Sequence, residues 1–291
     1  MSPSRRTFSA LAAAAAVVQV NAAMGPAFST GPTASDTFIR ESWATLVLPA
    51  IPSDNKGDLS LWVGMGTSAG DLIQSIAENY GDNNWNAFAY TLMETSPTTQ
   101  VAIQADGSTA AEGDQVTMHY KYSDTTGNYT QTVLVNGEVV STLSTSDGKA
   151  EGWGSAIECA DESCGTVAAH KWINCSIILD SADMAYSDTL ALGEDVEGTM
   201  TSEDGITWTI GTISIPGWSF SSDGFVRIIA FFGQCGLVQQ FILRRDEGFT
   251  VRLFFLVWFR PRSTHRSLGK PRRFSFIGGY ALVGRVFFIW F

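Results

Sequence analysis

The sequence predicts an all-β fold, an antiparallel β-sandwich or jelly roll. Three observations carry that expectation: short runs that alternate apolar and polar residues, turn signals between them at regular spacing, and no sustained helical period between residues 59 and 216. A period of two places successive side chains on opposite sides of a pleated strand, so an alternating run describes a strand with one buried face. Many such runs joined by tight turns describe two sheets packed face to face.

Taken in order, residues 24–58 are rich in Gly, Pro, Ser and Thr, and only Phe38 to Leu48 adds a candidate strand. LSLWVGM, from Leu59 to Met65, reads as an apolar strand, and Asp71 to Asn79 as a short helical turn. DQVTMHYKY alternates Val116, Met118, Tyr120 and Tyr122 against Thr117, His119 and Lys121. The chain then turns at DTTGN. YTQTVLV and EVVSTL flank Asn136-Gly137, a dipeptide whose tolerance of positive φ suits a two-residue hairpin turn. KWINCSIIL is a further strand, and EGTMTS and ITWTIGTISIP pair around Glu203-Asp204-Gly205.

The two ends differ from this body. Arg5 and Arg6, the apolar stretch Phe8 to Val20 and the small residues Val20-Asn21-Ala22-Ala23 have the order of an export signal, so residues 1–23 are expected to be removed and the protein to be secreted. That apolar stretch is too short for a transmembrane anchor. Residues 1–224 hold 7 Lys+Arg against 27 Asp+Glu, a balance of −20, whereas residues 225–291 hold 11 against 2, a balance of +9. An acidic body repels nucleic acid and anionic membranes, which disfavours both as partners. The basic, aromatic tail does not match the domain before it. Residues 219–291 are read as a gene-model artefact, which peptides from Leu253 to Phe291 in a mass spectrum would overturn.

Cys159 and Cys164 bracket a short acidic loop and are expected to form a disulfide in an oxidising compartment, while Cys175 is expected to be a buried thiol. His119, His170 and His265 are scattered, so no metal site is predicted, and a calcium site at Glu158, Asp161 and Glu162 is weaker than a solvated loop. Asn128 and Asn174 head glycosylation triplets. Gly66-Thr67-Ser68-Ala69-Gly70 has the G-x-S-x-G spacing of a nucleophile elbow, but that turn joins a strand to a helix in a parallel sheet. A glycine-rich turn between strands is the better reading. Gly64-x-Gly66-x-x-Ala69 lacks the βαβ setting of a dinucleotide site. No cofactor is called for.

LWVGMGTSAGDLIQS, then WNAFAYTL, then AEGDQVTMHYKYSDTTGNYTQTVLVNGEVVSTL resemble the fungal glutamic peptidases called eqolisins, over about Leu59 to Ile215. The resemblance implies a concanavalin A-like double sheet and a dyad of glutamine and glutamate, the carboxylate activating water and the amide stabilising the oxyanion. Gln74 falls on the family glutamine. The glutamate motif, alanine-glutamate-aromatic-isoleucine after a cysteine loop, is matched by His170-Lys171-Trp172-Ile173, which puts Lys171 at the glutamate position. An ammonium is no proton acceptor at ordinary pKa.

These readings lead to four expectations. The domain spans residues 59–218, and residues 24–58 form an N-terminal extension or candidate propeptide. The protein is a monomer lacking proteolytic activity. It binds extracellular polysaccharide or peptide through groove aromatics, with Trp62, Trp85 and Trp172 the candidates by motif position. The competing readings are an acid endopeptidase using Gln74 with an unidentified carboxylate, and a structural cell-surface protein.

Overall fold

The computed structural model describes residues 22–96, 99–160 and 163–220, together with the backbone of two further strands, Ile228–Phe232 and Val238–Ile242. The expected leader up to residue 21, Asp161, Glu162 and most of the basic tail lie outside the described residues.

In chain order the strands are β1 (Ala23–Thr30), β2 (Ile39–Val47), β3 (Asp58–Thr67), β4 (Leu72–Asn79), β5 (Trp85–Ser96), β6 (Thr99–Gln104), β7 (Ser108–Ala110), β8 (Gln115–Tyr122), β9 (Tyr129–Val135), β10 (Glu138–Thr145), β11 (Ala150–Ala160), β12 (Gly165–Val167), β13 (His170–Leu179), β14 (Ala191–Leu192), β15 (Thr207–Ile215) and β16 (Trp218–Phe220). All pairings are antiparallel. One sheet runs β14-β1-β11-β3-β4-β5, with β6 and β7 both on the far side of β5. The other runs β10-β9-β8-β2-β13-β15. A single pairing, Ala150 with Ile39, joins the two sheets into a sandwich.

The expected all-β sandwich is what the chain forms, and alternation explains how. On β8, Val116, Met118 and Tyr120 are fully buried between the sheets while Thr117 and His119 are half-exposed. Phe28, Trp153 and Trp172 meet across the core, with ring centroids 5.1 and 6.3 Å apart from Phe28. Asn136 (φ 51°) and Gly137 (φ 90°) make the tight turn between β9 and β10 that their sequence demands.

Three boundaries differ from the sequence reading. Residues 24–58 supply β1 and β2, which pair with β11 and with β8 and β13, so this segment is built into both sheets. Ala23, placed with the leader by its sequence, pairs with Cys159 and is buried. Asp71 to Asn79 is a strand: β4 is hydrogen-bonded on both sides and buries Ile73, Ser75 and Ala77, an alternation that the short apolar run disguises.

Cys159 and Cys164 form the expected disulfide, which ties the end of β11 to β12, and β12 in turn pairs with β16. Cys175 is buried as a free thiol, its pKa pushed up to about 12 by that burial. Among the described residues, no helix is long and apolar enough to cross a membrane.

Candidate functional site

The outer face of the first sheet carries a second apolar cluster, separate from the core: Trp62, Ile76, Phe88 and Ala156, flanked by Met24, Ala27 and Tyr90. Register fixes its layout. Trp62 lies between Ile76 of β4 and Ala156 of β11, and Ile76 lies beside Phe88 of β5. The alternate residues Val63, Ile73, Ala77, Ala87 and Ala89 point into the core.

One row along, on the same outer face, Gln74 is flanked by Tyr90 on one side and Gly64 on the other, followed by Gly154 and Ser29. Gln74 is 95 % buried in this row, since only 5 % of its surface is exposed, and its side-chain carbonyl oxygen has no hydrogen-bond partner among the described residues. Leaving a buried amide oxygen unpaired costs about 1–3 kcal/mol. A group held in that state is free to be used by a ligand. The floor beside it is bare for a steric reason: a Cβ on Gly64 would lie 2.6 Å from the Ile73 carbonyl oxygen, and one on Gly154 would lie 2.7 Å from that of Phe28. Only glycine fits, and glycine leaves room for a ligand backbone to approach the sheet.

On the opposite side of β3, the register of β11 shifts between Ala150 and Gly152. Ala150 and Trp153 are both fully buried in the core, so the extra residue of this bulge sets Glu151 with Gly152 on the outer face. Glu151 is half-buried and its main-chain carbonyl accepts a hydrogen bond from the Thr33 N–H at 2.9 Å. Gln74 and Glu151 therefore flank β3 along the stretch where β3 presents only Gly64 and Gly66 outward.

Beyond the aromatic band the outer face of the sheet turns acidic. Glu78 and Glu158 sit on either side of Ser60, with Asp58 next along β3. Burial raises the Glu78 pKa to about 7, and the negative charge of Asp58 and a hydrogen bond between the two carboxyl groups add to the effect. Burial also raises Glu158 to about 7, with the Asp58 charge adding, although the Trp62 Nε1–H donates to its Oε2 at 2.9 Å and opposes the shift. The same bond fixes the indole of Trp62. Tyr90 is raised by burial and then by the charges of Glu78, Glu158 and Asp58.

The residues singled out in the sequence separate as follows. Gln74 and Trp62 share the groove. Trp85 and Trp172 are 0 % and 1 % exposed and face the core, where Trp85 Nε1 donates to the Pro49 carbonyl at 3.0 Å; strand alternation turns them away from the groove. Lys171 is exposed on β13 of the other sheet, paired with Val47 and Ser214, while its neighbour Trp172 points inward. It is not brought together with Gln74. Ser68 lies in the β3–β4 turn, where its hydroxyl accepts the Lys149 N–H at 3.1 Å, and no helix follows it. His119 bonds Glu41 at 2.7 Å on the far side of the molecule. Asn128 is half-buried and donates to the Ser144 hydroxyl at 3.3 Å, and Asn174 is exposed at a bulge with φ 53°.

Glu151 is the residue that the sequence reading passed over. Ala150-Glu151-Gly152-Trp153 keeps the order alanine, glutamate, aromatic, but a glycine is inserted and the motif precedes the cysteines instead of following them. The inserted glycine belongs to the bulge, which is visible only once β11 is paired with β3.

No protein-family profile matches the sequence, and no curated protein matches it. Among solved structures, the chain is similar to Scytalido-glutamic peptidase in complex with a peptide-based transition-state analogue, at 16 % identity and a TM-score of 0.43 over 66 % of this chain and 98 % of that one. It is similar to SCP-B, a member of the eqolisin family of peptidases in complex with the tripeptide Ala-Ile-His, at 17 % identity and a TM-score of 0.38 over 66 % and 98 %. An endo-1,3-β-glucanase from Streptomyces sioyaensis follows at 13 % identity and a TM-score of 0.30 over 65 % and 67 %. The likeness is to the β-sandwich of eqolisin glutamic peptidases and of glycan-acting enzymes.

Proposed function

We propose that this is a secreted peptidase acting at acid pH on extended polypeptide, with Gln74 and Glu151 as its working pair. The observation that carries the reading is the glycine-floored strip of β3 between the buried Gln74 carboxamide, whose oxygen has no partner among the described residues, and a carboxylate on a bulge. In this reading a scissile peptide lies over Gly64 and Gly66. The Glu151 carboxylate takes a proton from water as the water oxygen attacks the carbonyl carbon, and the Gln74 amide N–H stabilises the oxyanion. The proton on Glu151 then passes to the departing amine. Lys171, on the other sheet, gives no reason to expect lost activity.

Incubating the purified chain with a denatured protein from pH 2 to 7 tests this. Cleavage should occur in the acid range, fall at least about a hundredfold in Gln74→Ala, a loss on the scale of removing one oxyanion donor, and persist in Lys171→Ala. Absence of cleavage at every pH would overturn it.

A second reading, binding without cleavage, is favoured by Tyr90, which is half-buried at the edge of the aromatic cluster formed by the buried Trp62 and Phe88 and could stack on a sugar or grip a peptide side chain. It predicts saturable binding of polysaccharide or peptide that survives Gln74→Ala and is lost in Tyr90→Ala.

A further inference from the structure

Directly behind Gln74, on the core side of the sheet, lies a chain of buried polar side chains that the groove chemistry does not use. Ser75, Thr91 and Gln131 have no exposed surface, nor does Asp147, and Thr145 has 7 %. The Ser75 hydroxyl donates to Gln131 Oε1 at 3.2 Å, and Gln131 Nε2 donates to Thr91 Oγ1 at 2.6 Å and to the Tyr90 carbonyl at 3.0 Å. Thr91 and Thr145 bond hydroxyl to hydroxyl at 3.2 Å, and Thr145 Oγ1 donates to Asp147 Oδ2 at 2.7 Å. Because the Thr145 proton is committed to Asp147, Thr91 must be the donor in the hydroxyl pair. Every bond from Ser75 onward therefore points the same way, and such chains strengthen cooperatively. Asp147 Oδ1, at the end, has no partner among the described residues.

The near end of this chain holds the backbone units that surround Gln74. Ser75 follows it in sequence, and its N–H is taken by the Tyr120 hydroxyl at 2.7 Å, which itself donates to the Val63 carbonyl. Tyr90 is the cross-strand partner of Gln74 on β5, and Val63 precedes its partner Gly64 on β3. We propose that Gln131, Thr91, Thr145 and Asp147 are positioning residues for the Gln74 carboxamide, and that the protonation state of Asp147 is transmitted through them to the groove. The proposal rests on Gln74 being the working amide of the groove. Asp147 titrates in a useful range, since burial raises its pKa to about 6, opposed by the Thr145 hydrogen bond and assisted by the charge of Asp71. The titratable groups that interact with it are Asp71 at the head of β4, whose Oδ1 accepts the Glu94 N–H at 2.6 Å, and Tyr129 on β9, whose hydroxyl feels the Asp147 charge.

The test reads Gln74 directly. In ¹⁵N-labelled full chain, the Gln74 side-chain amide resonances should shift with pH with a midpoint near 6. The midpoint should vanish in Asp147→Asn and in Thr91→Val, return in Thr91→Ser, and persist in Glu78→Gln. If Thr91→Val fails to fold, Asp147→Asn decides. A wild-type titration without that midpoint, or its survival in Thr91→Val or Asp147→Asn, would overturn the proposal. Should the chain cleave protein, Thr91→Val should lower kcat about tenfold with KM unchanged; if it cleaves nothing, the peptidase reading fails while the resonance titration still decides the relay.

Discussion

Ser75 and Gln74 are neighbours on β4 with opposite fates. On the inward face, Ser75 shares a network in which its hydroxyl and N–H, the Gln131 amide and the Thr91 and Tyr120 hydroxyls all have partners, with Asp147 at its far end. On the outward face, one residue away, the Gln74 oxygen has none, and Glu78 further along keeps a proton up to about pH 7. Polar groups that stabilise a fold are satisfied within it. Unpaired groups also occur inside, at Asp147 Oδ1 and the indole N–H groups of Trp153 and Trp172, so what sets the outer face apart is that the Gln74 oxygen lies beside a strip of β3 bare of side chains, where a ligand backbone could approach.

The comparison is broken most severely from the inside. Trp85→Ala removes a fully buried indole and its bond to the Pro49 carbonyl, and should cost about 3–5 kcal/mol in chemical denaturation. Tyr90→Ala, half-buried on the outer face, should cost less than half of that while weakening ligand binding. Equal losses would mean that the groove aromatics are core after all.

The next effect is on pH dependence. Glu78 and Glu158 at about 7 and Asp147 at about 6 bind protons more tightly folded than unfolded, so their contribution is fully present below the unfolded carboxylate range and is lost as pH rises through 6 and 7. Asp114 and Glu41 are shifted down by hydrogen bonds, which act against the upward effect of burial, from Asn136 and from His119 and Lys121 respectively; they contribute in the opposite sense and lose their share as pH falls below about 4. Maximum stability should therefore lie near pH 4–5, with roughly 3 kcal/mol lost by pH 8 once solvent screening is allowed for. Thermal melts across pH check this, and Glu158→Gln should flatten the alkaline side. A melting temperature that rises from pH 5 to pH 8 would contradict the assignment.

The smallest effect is local. Cys159→Ser opens a short loop and should cost about 2 kcal/mol on the chain-entropy account. Because the loop anchors β12 and β16 at the groove's acidic end, it should alter Glu158 more than Gln74.

Much of the fold was legible in the residues because its signals are local. Alternation on β8, the Asn136-Gly137 turn and the Cys159–Cys164 pair depend on neighbours within a few positions, and all three stand where the pattern puts them. The site was only half legible. The flanking motif picked out Gln74 as a candidate, but period-two alternation says that Trp62, Trp85 and Trp172 each have a buried or an outward face without saying which. Nor does it say to which sheet a strand belongs.

What the sequence determined by itself is the class of fold, the Asn136-Gly137 turn and the disulfide, since each follows from short-range sterics and side-chain period, whereas the strand that bears Gln74 appeared only once β4 was paired with β3 and β5. Only the tertiary structure decided that β1 and β2 are interior strands, that Lys171 faces outward on the second sheet, and that a one-residue bulge brings Glu151 onto the groove face. The physical reason is register. Which side chains share a face depends on hydrogen bonds between strands far apart in the chain, and one inserted residue moves a side chain from one face to the other.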